Sequence, residues 1–263
     1  MKPSIEVHNL TVAYNRRPVL WDIDFTVPQG QLIGVLGPNG SGKTTLLKSI
    51  MGLVEPSSGY VRLFDDSLDA VRSRISYVPQ RESVDWDFPV SVREVVLMGR
   101  YRKGKLLRRL SREDHRLADE ALERVGMTAF AKRQIAQLSG GQQQRVFVAR
   151  SLAQQADLYL MDEPFAGVDA ASEEAILKLL GEMKEAGKTV LIVHHDLQTA
   201  QQFFDWLVLL NTRLVAAGPT AEVFKEEHLR SAYGGQLTIL SRVADMVKER
   251  DFPLREKGFR DEP

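Results

Sequence analysis

Apolar and polar residues first alternate along this chain and then cluster in longer periods. Ile5-Glu6-Val7, Asp22 to Val27 and Leu32 to Leu36 read as short strands, with turn residues at Pro28-Gln29-Gly30. Lys43 to Met51 predicts a helix ended by Gly52, and Tyr60 to Phe64 and Ile75 to Val78 return to strand-like patterns. The middle of the chain then changes character. Ser91-Val92-Arg93-Glu94 is a capping-box pattern ahead of Val95-Val96-Leu97-Met98. Ser111 to Val125 and Gln142 to Gln154 are further helical segments, the latter with Val146, Ala149, Leu152 and Ala153 on one face. No convincing strand lies between Asp85 and Ala156, so this stretch predicts a helical insert. Alternation of strand and helix resumes with Leu158 to Met161, Ala171 to Ala186, Thr189 to Val193 and a helix from Leu197. A hairpin over Trp206 to Ala217, turning at Asn211-Thr212, follows. The whole predicts an α/β chain built on a parallel sheet covered on both faces.

Composition narrows the function classes. The 263 residues are 43% hydrophobic and 27% charged, ordinary for a globular chain and enough for a sizeable core. Lys plus Arg and Asp plus Glu both count 35, and this neutrality argues against a general nucleic-acid binder. Cysteine is absent, which excludes disulfides, thiolate zinc sites and cysteine nucleophiles. No run approaches the roughly 18 apolar residues of a membrane helix, and Met1 to Leu10 lacks the apolar core of a signal peptide. The expectation is a cytoplasmic chain whose membrane role, if any, comes through a partner.

Gly37-Pro38-Asn39-Gly40-Ser41-Gly42-Lys43-Thr44 fits the P-loop pattern G-x-x-x-x-G-K-[ST], between a buried strand and a helix. Glycines let successive backbone N–H groups curl inward at the positive end of that helix. Lys43 adds a point charge for the outer phosphates, and Thr44 a hydroxyl for Mg²⁺. A glycine-rich turn that merely precedes a helix is the bland alternative, but a chance match in this length is on the order of one in a hundred.

Leu158-Tyr159-Leu160-Met161-Asp162-Glu163 is an apolar strand ending in two carboxylates. Asp162 there can reach the Mg²⁺ held by Thr44, and Glu163 can orient an attacking water. With a reference pKa of about 4.3 a glutamate is a weak base at neutral pH, so positioning matters more than proton abstraction. Alone, this pair is no more than solvated acids at a strand end; beside a P-loop it gains weight. Leu138-Ser139-Gly140-Gly141-Gln142 is a second candidate anion cradle, a hydroxyl and two glycines at a helix start, or else an ordinary serine N-cap.

Continued as Gln143-Gln144-Arg145, that last segment resembles the signature of ABC ATPases, and the resemblance runs from about Ile5 to Leu240 with the motifs in family order. Tyr14 is similar to the aromatic that stacks on adenine, Gln80 to the Q-loop glutamine, and Ala166-Gly167-Val168-Asp169 to the D-loop. The D-loop departs from the commoner Ser-Ala-Leu-Asp wording, which leaves Asp169 as its secure position. His195 before Asp196 resembles the switch histidine; His194 competes for that place, and the family's His-Asp order selects His195.

The resemblance implies a P-loop NTPase (RecA-like) core with an N-terminal antiparallel β subdomain and an inserted α-helical subdomain. It implies an ATPase domain over 1–240, with core 1–84 and 157–225 and helical subdomain 85–156, then a C-terminal helix and charged tail over 241–263. ATP would contact Tyr14, Gly37 to Thr45, and Ser139, Gly140, Gly141, Gln142 and Asp169. Mg²⁺ would meet Thr44, Gln80 and Asp162, and catalysis would fall to Glu163, His195, Gln80 and Lys43. Each ATP would sit between the P-loop of one subunit and the Ser139–Gly141 segment of another, in a head-to-tail homodimer.

Residues 77–101 and the stretches Met161 to Asp169 and Gly218 to Phe224 are similar in wording to ATPases of the manganese/iron/zinc importer branch. That implies a separate membrane permease, an external metal-binding protein acting through it, and a place on the inner face of the membrane. Manganese is the favoured cargo, with zinc and iron as alternatives. The competing readings are an importer or exporter ATPase for a non-metal cargo, or a soluble ABC ATPase, whose coiled-coil insertions or tandem P-loops are missing here. Trp86 and Phe88 are expected to face the permease rather than pack within the insert. The basic run Arg100 to Arg109 reads as a solvated helix end, a contact with anionic lipid or a nucleic-acid patch, the last thinly supported in a neutral chain.

Overall fold

A computed structural model describes residues 2–101 and 109–234. Two strands, β1 (Pro3–Tyr14) and β2 (Arg17–Pro28), form a long hairpin, followed by β3 (Leu32–Leu36) and α1 (Lys43–Ile50). Then come β4 (Ser58–Leu63), the single turn α2 (Leu68–Val71) and β5 (Ile75–Val78). Helices α3 (Val92–Met98), α4 (Arg112–Arg124) and α5 (Gly140–Ala153) make the insert. The chain resumes with β6 (Leu158–Asp162), α6 (Ala170–Glu185), β7 (Thr189–Val193) and α7 (Leu197–Phe203). It ends its described part with β8 (Trp206–Asn211), β9 (Arg213–Pro219), α8 (Thr220–Val223) and α9 (Glu226–Tyr233).

These elements make two sheets. An antiparallel one runs β2-β1-β4, and a six-stranded one runs β5-β6-β7-β3-β8-β9, parallel except for β9 at its edge. Period-two alternation splits the larger sheet's side chains between two cores. Leu158 and Leu160 of β6 join Leu46, Leu47 and Ile50 of α1 and the inner face of the antiparallel sheet. Tyr159 and Met161 point the other way, into a core shared with α6, α7 and the insert. The fold is therefore the expected α/β architecture, with an antiparallel β layer and helices between β5 and β6.

Both hairpin strands run longer than the sequence pattern suggests, and the reason is local. Asn9 and Asp22 adopt left-handed backbones (φ 46° and 51°), and the β1–β2 register shifts between Val7 and Leu10. Asn9 donates from Nδ2 to Asp22 Oδ1 at 3.2 Å, and the Asp22 N–H donates to Thr11 Oγ1 at 3.1 Å, so side chains fasten the irregularity. A bulge of this kind resets the alternation phase and hides the strand's continuity.

The insert's helices are capped as the sequence dictates. Ser91 and Glu94 form a capping box on α3, and Ser111 and Asp114 form one on α4. Asp114 is buried, holds Arg100 Nε at 3.0 Å and sits well below the usual carboxylate range, first because of its bonds from Ser111 and then because of Arg100. Arg100 also donates to the Ala153 carbonyl at 2.6 Å, tying α3's end to α5. Trp86 corrects the expectation made for it: its ring meets Phe147 of α5 edge-on at 5.0 Å, inside the insert, whereas Phe88 is exposed. Most of the basic run, 102–108, and the C-terminal segment 241–263 lie outside the described residues. Among the described residues, no helix is long and apolar enough to cross a membrane.

Candidate functional site

The loop between β3 and α1 is shaped by what backs it. A Cβ on Gly37 would stand 2.0 Å from the Leu210 carbonyl of β8, and one on Gly42 (φ 100°) 2.9 Å from the Val19 carbonyl of β2. Only glycine fits either place. The β8–β9 turn braces the loop further, since the Thr212 N–H donates to the Ser41 carbonyl at 3.0 Å. Gly42 caps α1, whose unpaired N–H groups face the loop's mouth.

Lys43 is buried and donates from Nζ to the Gly37 and Pro38 carbonyls at 2.8 and 3.0 Å. Burial lowers its ammonium pKa, while Glu163 and Asp162 pull it back up. Thr44 donates from Oγ1 to Asp162 Oδ1 at 3.2 Å. Asp162 is fully buried at the end of β6, and that burial raises its carboxyl pKa, partly offset by the Thr44 bond. Its second oxygen, Oδ2, has no hydrogen-bond partner among the described residues. An orphaned buried carboxylate oxygen beside a threonine hydroxyl is a hard-oxygen donor set of the kind magnesium takes, so these residues fit that ion.

Glu163 adopts a left-handed backbone (φ 50°), uncommon for a residue with a side chain. The Glu163 N–H donates to the Val193 carbonyl at 3.2 Å, and its carboxylate accepts from Gln80 Nε2 at 3.4 Å. Val19, Asn39 to Thr45, Gln80 and Glu163 line one cleft of about 420 Å³. Three of the sequence-singled segments, far apart in the chain, thus share a single cavity with a cationic floor and an acidic wall. Tyr14 lies at the β1–β2 hairpin tip and is 47% exposed, on the hairpin whose other strand supplies Val19.

The two adjacent histidines separate cleanly. His194 is buried, its ring edge-on to Phe165 and Phe204, and its Nε2 lies 2.5 Å from Thr199 Oγ1. Burial, then the neighbouring His195, push its pKa down to about 4. His195, by contrast, is exposed.

Ser139, Gly140, Gly141 and Gln142 open α5, away from that cleft. Ser139 Oγ accepts the Gln142 N–H and Gln142 Oε1 accepts the Ser139 N–H, a complete capping box with the serine exposed. A Cβ on Gly141 would lie 3.3 Å from the Gly167 carbonyl, so this turn packs against the segment ending in Asp169. Asp169 is itself the N-cap of α6, accepting from the Ser172 N–H at 2.9 Å and from Ser172 Oγ at 2.8 Å. Neither segment lines the cleft around Lys43. Two features escaped the sequence pattern: the left-handed Glu163, and Arg81, which donates to Gln143 Oε1 from Nε and Nη2. Glu163 had no local signal; Arg81 had only its place next to Gln80.

Residues 20–166 match the family model described as ABC transporter. The chain is 59% identical over 236 residues to the manganese transport system ATP-binding protein MntB of Bacillus subtilis, covering 90% of this chain and 94% of that one. It is 55% identical to the zinc transport system ATP-binding protein TroB of Treponema pallidum, covering 89% and 88%. Among solved structures it resembles an ATP binding subunit of an ABC transporter, with TM-score 0.75, 28% identity and coverage of 89% and 98%.

Proposed function

Starting from the premise that this chain belongs to the ABC transporter family and is its ATP-hydrolysing enzyme, we propose that it energises uptake of a divalent transition metal through a separate permease. The observation that carries the ATPase half is the shared cleft, in which the phosphate loop faces Gln80 and Glu163 while Thr44 holds Asp162. Backbone N–H groups of Gly40 to Thr44 and the Lys43 ammonium bind the phosphates. Thr44, Asp162 and Gln80 would hold magnesium, which when bound would neutralise charge building on the terminal phosphate. Glu163 orients the attacking water, its carboxylate accepting from Gln80 at the left-handed turn that follows β6. His195, exposed at the end of β7, contacts the terminal phosphate, and Tyr14 stacks on the base.

Ser139 to Gln142 and Asp169 act on a second copy. The exposed Ser139 offers its hydroxyl, and the first turn of α5 its N–H groups, to the nucleotide held by the partner's phosphate loop, giving a head-to-tail homodimer with two ATP molecules. Loss of the terminal phosphate removes the shared contacts and the copies part. Phe88, Met98 and Tyr101, all exposed apolar side chains of the insert, offer a docking face for the permease on the inner side of the membrane.

The manganese and zinc relatives support a divalent metal as the transported substrate, and manganese is the cargo we favour. An external metal-binding protein delivers it through the permease, so the metal never meets this chain. Deleting the gene and measuring manganese and zinc uptake tests this. Manganese uptake should fall and return with the wild-type chain but not with Glu163→Gln; unchanged uptake of both metals would remove the metal assignment.

A further inference from the structure

Residues 80 and 81 face opposite ways and touch two different parts of the machinery. Gln80 donates to Glu163 at the end of β6 at 3.4 Å. Arg81 turns toward α5 and donates to Gln143 Oε1 from Nε at 3.3 Å and from Nη2 at 3.2 Å. Gln143 is a fixed anchor: it is buried, and its own Nε2 donates to the Ile135 carbonyl at 3.2 Å. The Arg81 carbonyl accepts Trp86 Nε1–H at 2.9 Å, and that indole packs on Phe147 one turn further along α5. The segment after Gln80 is thus fastened to α5 by a guanidinium fork and by an aromatic wedge.

Helix stability does not explain the arginine. Its guanidinium lies against the first turn of α5, where a Cβ on Gly140 would stand 3.0 Å from Nε and 3.1 Å from Cζ. A cation at a helix N-terminus faces the positive end of the helix dipole, the unfavourable sign. What the fork supplies is geometry: two N–H donors converging on one amide oxygen constrain the guanidinium's direction as well as its distance. A side chain at Gly140 would crowd the guanidinium, which would have to shift by a few tenths of an ångström.

We propose that Arg81 is a positioning residue for ATP hydrolysis, setting the angle of the Ser139–Gln142 turn relative to Gln80 so that the turn meets the partner's nucleotide in register. The inference rests on the reading that this turn completes a second copy's site. Arg81 touches no reacting atom; it acts through Gln143 and α5. Lysine, a single point donor, would hold the charge but not the angle.

The test uses the full chain in a Glu163→Gln background, where ATP-dependent dimerisation is measured by analytical ultracentrifugation. Binding of a fluorescent ATP analogue to the monomer is measured alongside. Adding Arg81→Ala should weaken the dimer about tenfold while leaving monomer nucleotide binding within about twofold, with Arg81→Lys in between. In the otherwise wild-type chain kcat should fall about tenfold with little change in KM. In a Gln143→Ala background, Arg81→Ala should cost less than about twofold more, because the shared contact is already gone. Equal dimer affinities with and without Arg81, or losses at Arg81 and Gln143 that simply multiply, would overturn the assignment. Failure of Glu163→Gln alone to dimerise with ATP would instead overturn the shared-site reading beneath it.

Discussion

The two helix N-termini that carry glycine-rich turns, those of α1 and α5, have opposite surroundings. The α1 turn is walled in. The Leu210 and Val19 carbonyls back its glycines, a buried lysine donates to its Gly37 and Pro38 carbonyls, Asp162 meets Thr44, and Glu163 and Gln80 line the same cleft. The α5 turn carries its own capping box and packs against the guanidinium of Arg81 and the flank of Gly167 and Val168, and its serine is exposed. One is a binding site with walls, charges and a metal-donor set; the other is a surface able to donate but not to enclose. Two complementary halves in one chain make sense when each is completed by another copy, which is how a nucleotide can act as both fuel and adhesive.

The comparison can be broken most sharply on the walled side. Glu163→Gln should lower kcat by about a thousandfold without weakening ATP binding, because it removes the group that orients water and leaves the cradle whole. Steady-state hydrolysis beside equilibrium nucleotide binding checks this. Lys43→Ala should weaken ATP binding to the monomer about a hundredfold, by loss of a buried charge-assisted contact to phosphate. Calorimetric titration reads that change.

On the open side the effects are transmitted rather than local. Asp114→Asn removes one partner of the shielded Arg100–Asp114 pair, with side chains 12% and 6% exposed, and should cost about 2 kcal/mol of stability. Thermal unfolding measures it, and monomer ATP binding should hold while dimerisation weakens, since Arg100 also fastens α5. At neutral pH the smallest effect lies with His194, whose contribution is expressed only in acid. Its folded pKa of about 4 is below the ordinary 6.5, so the unfolded chain takes up a proton that the fold refuses. Stability should therefore decline as pH falls from 6.5 toward about 4, and His194→Phe should flatten that decline in melting curves.

What was legible in the sequence was what is local. The phosphate loop announces itself because eight consecutive residues carry its chemistry, and β3, β6 and β7 because burial on both faces leaves an unbroken apolar run. The capping boxes at Ser91 and Ser139 are likewise written within four residues. The full length of β1 and β2 was hidden by bulges at Asn9 and Asp22, which reset the alternation. Trp86 could not be read as packed inward, because Phe147 stands sixty-one residues along the chain and no periodicity connects them. The same holds for Arg81 and Gln143, and for Gly37, whose need for glycine is set by a carbonyl on β8. The helix α9 left no expectation of its own, although Asn211 at the end of β8 donates to its Ala232 carbonyl at 2.9 Å. Choosing between His194 and His195 rested on family wording alone, because two adjacent histidines carry no local signal of which one is buried.

Absence of cysteine makes the shared site directly measurable, because any thiol introduced is the only one present. Asn39→Cys and Ser139→Cys, each in a Glu163→Gln background, are purified separately, mixed, and treated with a short bis-maleimide. A crosslinked heterodimer should form with magnesium and ATP and be lost when ATP is omitted. No crosslink under any nucleotide condition, with both thiols shown to be reactive, would contradict a nucleotide held between the α1 turn of one copy and the α5 turn of another.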